Sequence, residues 1–392
     1  MMAHTIDSID CFIISISRDV PYLGPLMDDE KVNSKGYIVR KGNRTIYPTS
    51  DRSVVIRITT SDGTIGWGET YGICAPEAVC HIINDLLSPV IIGRDPFEVS
   101  VIWEDLYDQM RVRGFTGGFY LDALAAIDIG LWDVCGKITS QPVYNLLGGK
   151  RRSKIPAYIS GLPRETLAER CELAQHFQAK GYRGFKFAAV VSGEGVVNEM
   201  RALREALGPD ADIMIDMHWK YTSADAISLI SAMQEYNLYF AEAPVAPEDV
   251  NGIIDVAQKA HVAIAAGEEW RTVYEASRRI EKRGCSVVQP EMGHTGITQF
   301  MRIANLAASS HCKIIPHASI GIGIFQAASL QAAATIQNLP YHEYQHSVFD
   351  NNKKYLVTNM ECQSGQYIIP DAPGLGVEPS DLFWEVATHV AN

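Results

Sequence analysis

Three carboxylates, Asp216, Glu242 and Glu268, fall 26 residues apart, and each closes a short apolar run. The runs are Asp212-Ile213-Met214-Ile215-Asp216, Tyr239-Phe240-Ala241-Glu242 and Ile264-Ala265-Ala266-Gly267-Glu268. If these are successive parallel strands, the acids converge at one end, and their mutual repulsion requires a positive partner. A hard divalent cation such as Mg²⁺ suits an all-oxygen set and keeps positions open for water and substrate. The plainer alternative is that each acid caps the helix after its strand. Equal spacing of all three favours the cation.

Further strand ends add acid and base groups. His317 closes Ile314-Ile315-Pro316-His317, and Glu291 follows Val287-Val288-Gln289-Pro290, so adjacent strands can bring a carboxylate to an imidazole. That pairing fixes the tautomer and raises basicity, which suits proton abstraction; the alternative is an ordinary histidine at the rim. His218 lies two residues past Asp216, and on an extended strand both side chains point the same way. Lys186, between Phe185 and Phe187, is expensive to bury alone. It is expected to enter the mouth and meet Glu242 or a substrate carboxylate, unless it snorkels to solvent. Glu343 is a candidate inward acid, in competition with His342 and His346. Gly321-Ile322-Gly323 either cradles a phosphate or simply starts the next helix.

The elements that must position these groups follow from hydrophobic period. Residues 153–345 alternate short apolar strands with amphipathic helices in units near 26 residues, the pattern of a parallel β/α architecture. Eight strands are expected, at 155–160, 184–190, 212–216, 238–242, 262–267, 286–289, 313–316 and 341–344, enough to close a barrel. Before them, residues 6–17, 53–59 and 65–69 read as strands, and 18–52, rich in Pro, Gly, Asp and Lys, as a long loop of the lid kind. Residues 75–147 have helical spacing, and 121–132 is apolar on nearly every face, so that helix should be buried. The tail, from 366–369 through Pro373-Gly374-Leu375-Gly376-Val377, returns to β and turn chemistry and is expected to pack on the N-terminal part.

Composition narrows the function classes. A chain of 392 residues with a net charge of −12 lacks the basic excess of a nucleic-acid binder. The eight cysteines form no C-x-x-C pair and read as reduced thiols of a cytoplasmic protein. No membrane span and no export signal are expected.

Taken jointly, several motifs resemble those of the enolase superfamily, mandelate racemase subgroup. They are Trp67-Gly68-Glu69, Ala123-Leu124-Ala125-Ala126-Ile127-Asp128, Leu131-Trp132-Asp133, Gly136-Lys137, Leu146-Leu147-Gly148-Gly149, Gln289-Pro290-Glu291, Gly296-Ile297-Thr298, Pro373-Gly374-Leu375-Gly376-Val377 and the three spaced acids. The resemblance implies an α/β fold, a (β/α)₇β barrel over residues 136–360. An α+β capping domain over 1–135 is joined by the returning segment 361–392. It also implies Mg²⁺ held by Asp216, Glu242 and Glu268, with proton abstraction α to a carboxylate. Such sites use a Lys or His base with bound magnesium. The partners the resemblance implies are a small carboxylate substrate, a sugar acid, and further copies of the chain in a homo-oligomer.

Departures from the family pattern point to one reaction. Ala188 replaces the second lysine of Lys-x-Lys, which disfavours a two-base racemase. Asp216 and His218, with His317 on the seventh strand, resemble galactonate and mannonate dehydratases. On that likeness His317 takes the C2 proton and His218 protonates the departing 3-hydroxyl, or the two exchange roles. Lys186, His218, Glu268, His317, Glu343 and Arg113 are the expected substrate contacts. The dyad acid is Glu291 where Asp is usual, and Glu242-Ala243-Pro244 replaces Glu-Glu-Pro. An isomerase of the same superfamily and a non-catalytic sugar-acid binder are the competing readings.

Overall fold

The structure, a computed structural model, describes residues 4–27, 29–318 and 321–391. Residues 1–3 and 392, at the ends of the two expected capping segments, lie outside the described residues. Strand β1 (Ile6–Ser17) is followed by a hairpin, β2 (Tyr37–Val39) with β3 (Ile46–Pro48), then by β4 (Ser50–Thr60) and β5 (Ile65–Tyr71). β1, β4 and β5 pair antiparallel in that order. Against this sheet lies the helix Gly118–Ile138, whose residues Tyr120–Leu131 are all buried, as its apolar faces require. Strand and helix touch backbone to backbone: a Cβ on Gly68 would collide with the Ala126 carbonyl.

The strands expected after residue 153 are all present. They are β6 (Lys154–Ser160), β7 (Gly184–Ala188), β8 (Asp212–Asp216), β9 (Leu238–Glu242), β10 (Ala263–Ala266), β11 (Val287–Val288), β12 (Lys313–Ile314) and β13 (His342–Tyr344). β13 pairs with β6, and the run β6 to β12 is parallel throughout. Between β12 and β13 no ladder forms among the described residues; Glu343 N donates to Pro316 O at 3.2 Å across that seam.

Side-chain alternation then sets the layers. Tyr158, Met214, Phe240, Ala265, Val287 and Ile315 form a sealed apolar cluster. Two residues further along their strands come Ser160, Asp216, Glu242, Gln289 and His317, so a polar layer sits directly above a packed floor.

Two expectations need correction. The segment 18–52 is not one long loop: it contains β2 and β3, and its last residues belong to β4. Those strands are three residues each, too short to produce a readable period. The tail does not pack as one piece on the N-terminal part. Its hairpin β15 (Glu361–Gln363) and β16 (Gln366–Ile368), which follows β14 (Leu356–Thr358), lies antiparallel on barrel strand β6. Burial of Tyr367 there, at 0% exposure, accounts for the choice. Only later does the chain return through β17 (Val377–Pro379) to β18 (Ala387–Val390), which pairs with β1.

All eight cysteines are free thiols. Among the described residues no helix is long and apolar enough to cross a membrane.

Candidate active site

Parallel register puts Asp216 beside Glu242, and Glu242 beside Ala265. Glu268 lies just past β10, turned into the mouth by Gly267 at φ 129, where a Cβ would press on the Trp270 ring at 3.0 Å. Glu242 is 0% exposed. Its Oε2 accepts from Lys186 Nζ at 2.7 Å, while Oε1 has no hydrogen-bond partner among the described residues. Burial, then repulsion from Asp216 and Glu268, pushes Glu242 up to about 8 despite Lys186.

Lys186 is nine-tenths buried and bridges two acids, with Glu343 Oε1 at 2.8 Å as the second. Lys186 thus enters the mouth and meets Glu242, as expected, and does not take the alternative route to solvent. Burial opposes its charge, but Glu242 and Glu343 outweigh that and hold its pKa well above the ordinary lysine value. Glu343 Oε2 also accepts from Ala318 N at 3.0 Å. The competitors of Glu343 point elsewhere. His342 meets Ser329 Oγ at 2.7 Å, and burial pushes it down to about 4; His346 Nε2 is 3.3 Å from Gly161 O.

His317 is gripped on both ring nitrogens. Nδ1 is 2.7 Å from Glu291 Oε2, and Nε2 is 2.7 Å from Glu268 Oε2. The longer reach of Glu over Asp is absorbed without loss of contact, because Glu291 Oε1 is anchored by Gly293 N at 2.9 Å. Burial disfavours the imidazolium, yet Glu268, Glu343 and Glu291 hold its pKa well above the ordinary value.

His218 reaches the cluster by a different geometry from the extended strand expected. The chain turns left-handed at His218 (φ 50) and Trp219 (φ 52), and Met217 N and Trp219 N bond to the Glu242 and Ala243 carbonyls at 2.9 and 2.7 Å. The imidazole folds back so that Nδ1 lies 3.1 Å from Asp216 Oδ2, while Asp216 Oδ1 accepts from His218 N at 2.8 Å. His218 thus stands at the Asp216 edge and His317 at the Glu268 edge.

Arg113 is exposed on the turn after the helix Val99–Arg111, and its side chain makes no hydrogen bond or ion pair among the described residues. Gly321-Ile322-Gly323 does start a helix, Ile324–Ala333. The amides of residues 322–325 are already taken by the buried carboxylate of Glu69, at 2.7 to 3.3 Å, so the phosphate alternative falls. Sequence reasoning missed that cap, and it missed Tyr22 and Tyr47, whose phenols feel Glu343, Glu268 and Asp216 from the segment above. Aromatic residues in a polar stretch were the available signal.

Oxygens of Glu242 and Glu268 and a ring nitrogen of His317 lie within 4.8 Å of one another. Asp216 lies outside that group, its carboxylate turned to His218, though its strand pairs it with Glu242; the buried acids still outnumber the single ammonium, and Glu242 Oε1 is an orphaned buried oxygen. Such a set fits a hard divalent cation.

A capped β/α barrel with clustered acids at the strand ends is the architecture of a class of metal-assisted enzymes. Residues 169–382 match the enolase C-terminal domain-like family, and residues 45–148 the mandelate racemase / muconate lactonizing enzyme N-terminal domain. The chain is 32% identical to D-galactarolactone cycloisomerase of Agrobacterium fabrum over 338 residues, covering 83% of this chain and 88% of that protein. It is 29% identical to arabinonate dehydratase of Saccharolobus solfataricus, covering 85% and 89%. A Sinorhizobium meliloti structure provisionally described as an isomerase superposes with a TM-score of 0.97 at 54% identity, covering 98% and 100%. The chain belongs to the mandelate racemase / muconate lactonizing enzyme family of the enolase superfamily.

Proposed function

We propose that this protein is a Mg²⁺-dependent dehydratase of an aldonic or aldaric acid. The observation that carries the reading is the placement of two imidazoles at opposite edges of one acid cluster, His317 on Glu291 and His218 on Asp216. Asp216, Glu242 and Glu268 would hold the cation, which supplies Lewis-acid relief for charge building on the substrate carboxylate. Lys186, pinned by Glu242 and Glu343, adds an ammonium beside the same oxygens. His317 takes the C2 proton through Nε2 while Glu291 steadies Nδ1–H. That role requires Glu268 to be engaged away from Nε2, since its Oε2 now lies 2.7 Å from that nitrogen and favours the imidazolium. His218 delivers a proton to the 3-hydroxyl, which leaves as water, and the resulting enol tautomerises to a 2-keto-3-deoxy acid. The two imidazoles exchange roles for the opposite C2 configuration.

Likeness to a galactarolactone cycloisomerase favours a second reading. There the same proton is removed but a ring oxygen leaves, and no water is lost. Incubation with Mg²⁺ and a panel of aldonic and aldaric acids and their lactones separates the two by mass. A dehydratase yields a semicarbazide-reactive keto acid lighter by one water; a cycloisomerase yields an isomer of its lactone. His317→Asn and His218→Asn should each lower dehydration by about 10²- to 10⁴-fold. Full activity of His218→Asn would sink the dehydratase mechanism. Silence across the panel, with no deuterium uptake at C2 in D₂O, would leave a non-catalytic sugar-acid binder.

A further inference from the structure

Among the described residues of 18–52, two largely buried ion pairs stand out: Arg18 with Asp51 at the segment's ends, and Arg40 with Glu30 in its middle. Arg40 is 4% exposed and Glu30 7%, in a segment whose neighbours are mostly exposed. Four guanidinium donors are used inside the segment, Nη1 to Glu30 Oε2 at 2.7 Å and Pro25 O at 3.0 Å, Nη2 to Tyr22 O at 2.6 Å and Gly24 O at 2.5 Å, while buried Nε has no partner among the described residues. Glu30 accepts further from Lys41 N at 2.9 Å and Met27 N at 3.1 Å. A buried pair is costly unless such bonds satisfy its remaining lone pairs and protons. The turn that Arg40 collects places Leu23 at φ 69, which L side chains rarely adopt, beside Gly24 at φ 99, which glycine adopts freely.

The residue just before that turn faces the mouth. The Tyr22 ring packs on Tyr47 with centroids 5.6 Å apart. Its phenol oxygen accepts from Gln345 Nε2 at 3.1 Å, two residues beyond Glu343 on the barrel rim. That bond uses a lone pair and leaves the O–H to donate. Burial, then Tyr47 and Glu343, raises the phenol pKa, so the group remains a neutral donor. Above a carboxylate cluster, a neutral donor suits the hydroxyl oxygen of a polyol.

We infer that Arg40 is the positioning residue of this lid: by clasping the carbonyls of residues 22, 24 and 25 it holds the Tyr22 phenol over the mouth, where Tyr22 hydrogen-bonds a hydroxyl of the sugar acid. The inference rests on the sugar-acid reading above. Arg40's hydrogen-bond partners all lie within 18–52, so loosening the clasp leaves the rim residues in place.

The test compares Arg40→Lys, Tyr22→Phe and the double variant of the full chain. Lysine keeps the charge but loses the fork. Each single variant is expected to raise KM about tenfold, the loss of one hydrogen bond, with kcat kept within about threefold. The double variant should be no worse than the singles, because both remove the same contact. Amide hydrogen exchange at residues 20–27 should quicken in Arg40→Lys while the barrel strands stay protected. Unchanged KM in either single variant, additive effects in the double, or unchanged exchange at 20–27 overturns the inference. If the wild type turns over no sugar acid, the functional reading falls instead, and the exchange measurement alone decides the clasp.

Discussion

The barrel rim and the segment above it hold charge by opposite means. On the rim, Lys186, Glu242, Glu291, His317 and Glu343 come from separate strands, and every bond between them crosses from one strand end to another. In the lid, Arg40 and Glu30 lie ten residues apart, and their bonds close on the same short stretch. The rim rests on the packed barrel beneath it, whereas residues 18–52 hold their shape by local bonds, among them Arg40 with Glu30, Arg18 with Asp51 at 2.7 Å, and the β2–β3 pairing. On the proposed function, chemistry that tolerates no displacement would sit on the first, and selectivity could vary on the second without disturbing it.

The sharpest way to break this contrast is at the acids. Glu242→Gln should abolish Mg²⁺ binding measured by calorimetry and lower turnover by about 10³-fold or more, if charge stabilisation at the rim carries the reaction. Retained Mg²⁺ affinity would show that the cluster is not the metal site. Next comes the balance of charge. Lys186→Met leaves two buried carboxylates without their shared cation and should destabilise the fold by about 3–5 kcal/mol in urea titrations. An unchanged midpoint would mean the rim does not depend on that ion pair. Smallest of all, Val39→Ser and Ile46→Ser on the exposed outer face of the lid, at 56% and 41% exposure, should change stability by no more than about 0.5 kcal/mol and leave kinetics alone. A large loss in either would show that the outer face of the lid is covered by something.

Much of the rim was legible beforehand because it depends on local period. Bounds of β8 and β9 agree with the expected strands residue for residue, and Glu343 enters the mouth because it alternates with His342 and Tyr344. The buried helix Gly118–Ile138 was legible for the same reason. Illegible parts depend on a partner far along the chain or on a single backbone angle. Glu69 looks like one acid among several until residues 322–325, some 250 positions later, present their amides to it. His218 was expected beside Asp216 by strand geometry, yet it arrives through a left-handed turn that no periodicity announces. The hairpin Glu361–Gln363 with Gln366–Ile368 chose the barrel over the cap because burying Tyr367 needed a surface that only the folded barrel offers.

By itself, the sequence determined that eight short strands would line up and that three acids and a histidine would fall at or just past the ends of four of them, since a two-residue alternation leaves few other arrangements. Tertiary structure alone decided which groups pair: Lys186 with both Glu242 and Glu343, His317 with both Glu291 and Glu268, and Arg40 with the carbonyls beneath Tyr22. Pairing is a matter of a few ångströms between groups distant in the chain or turned by one dihedral, and spacing along a sequence carries no such distance.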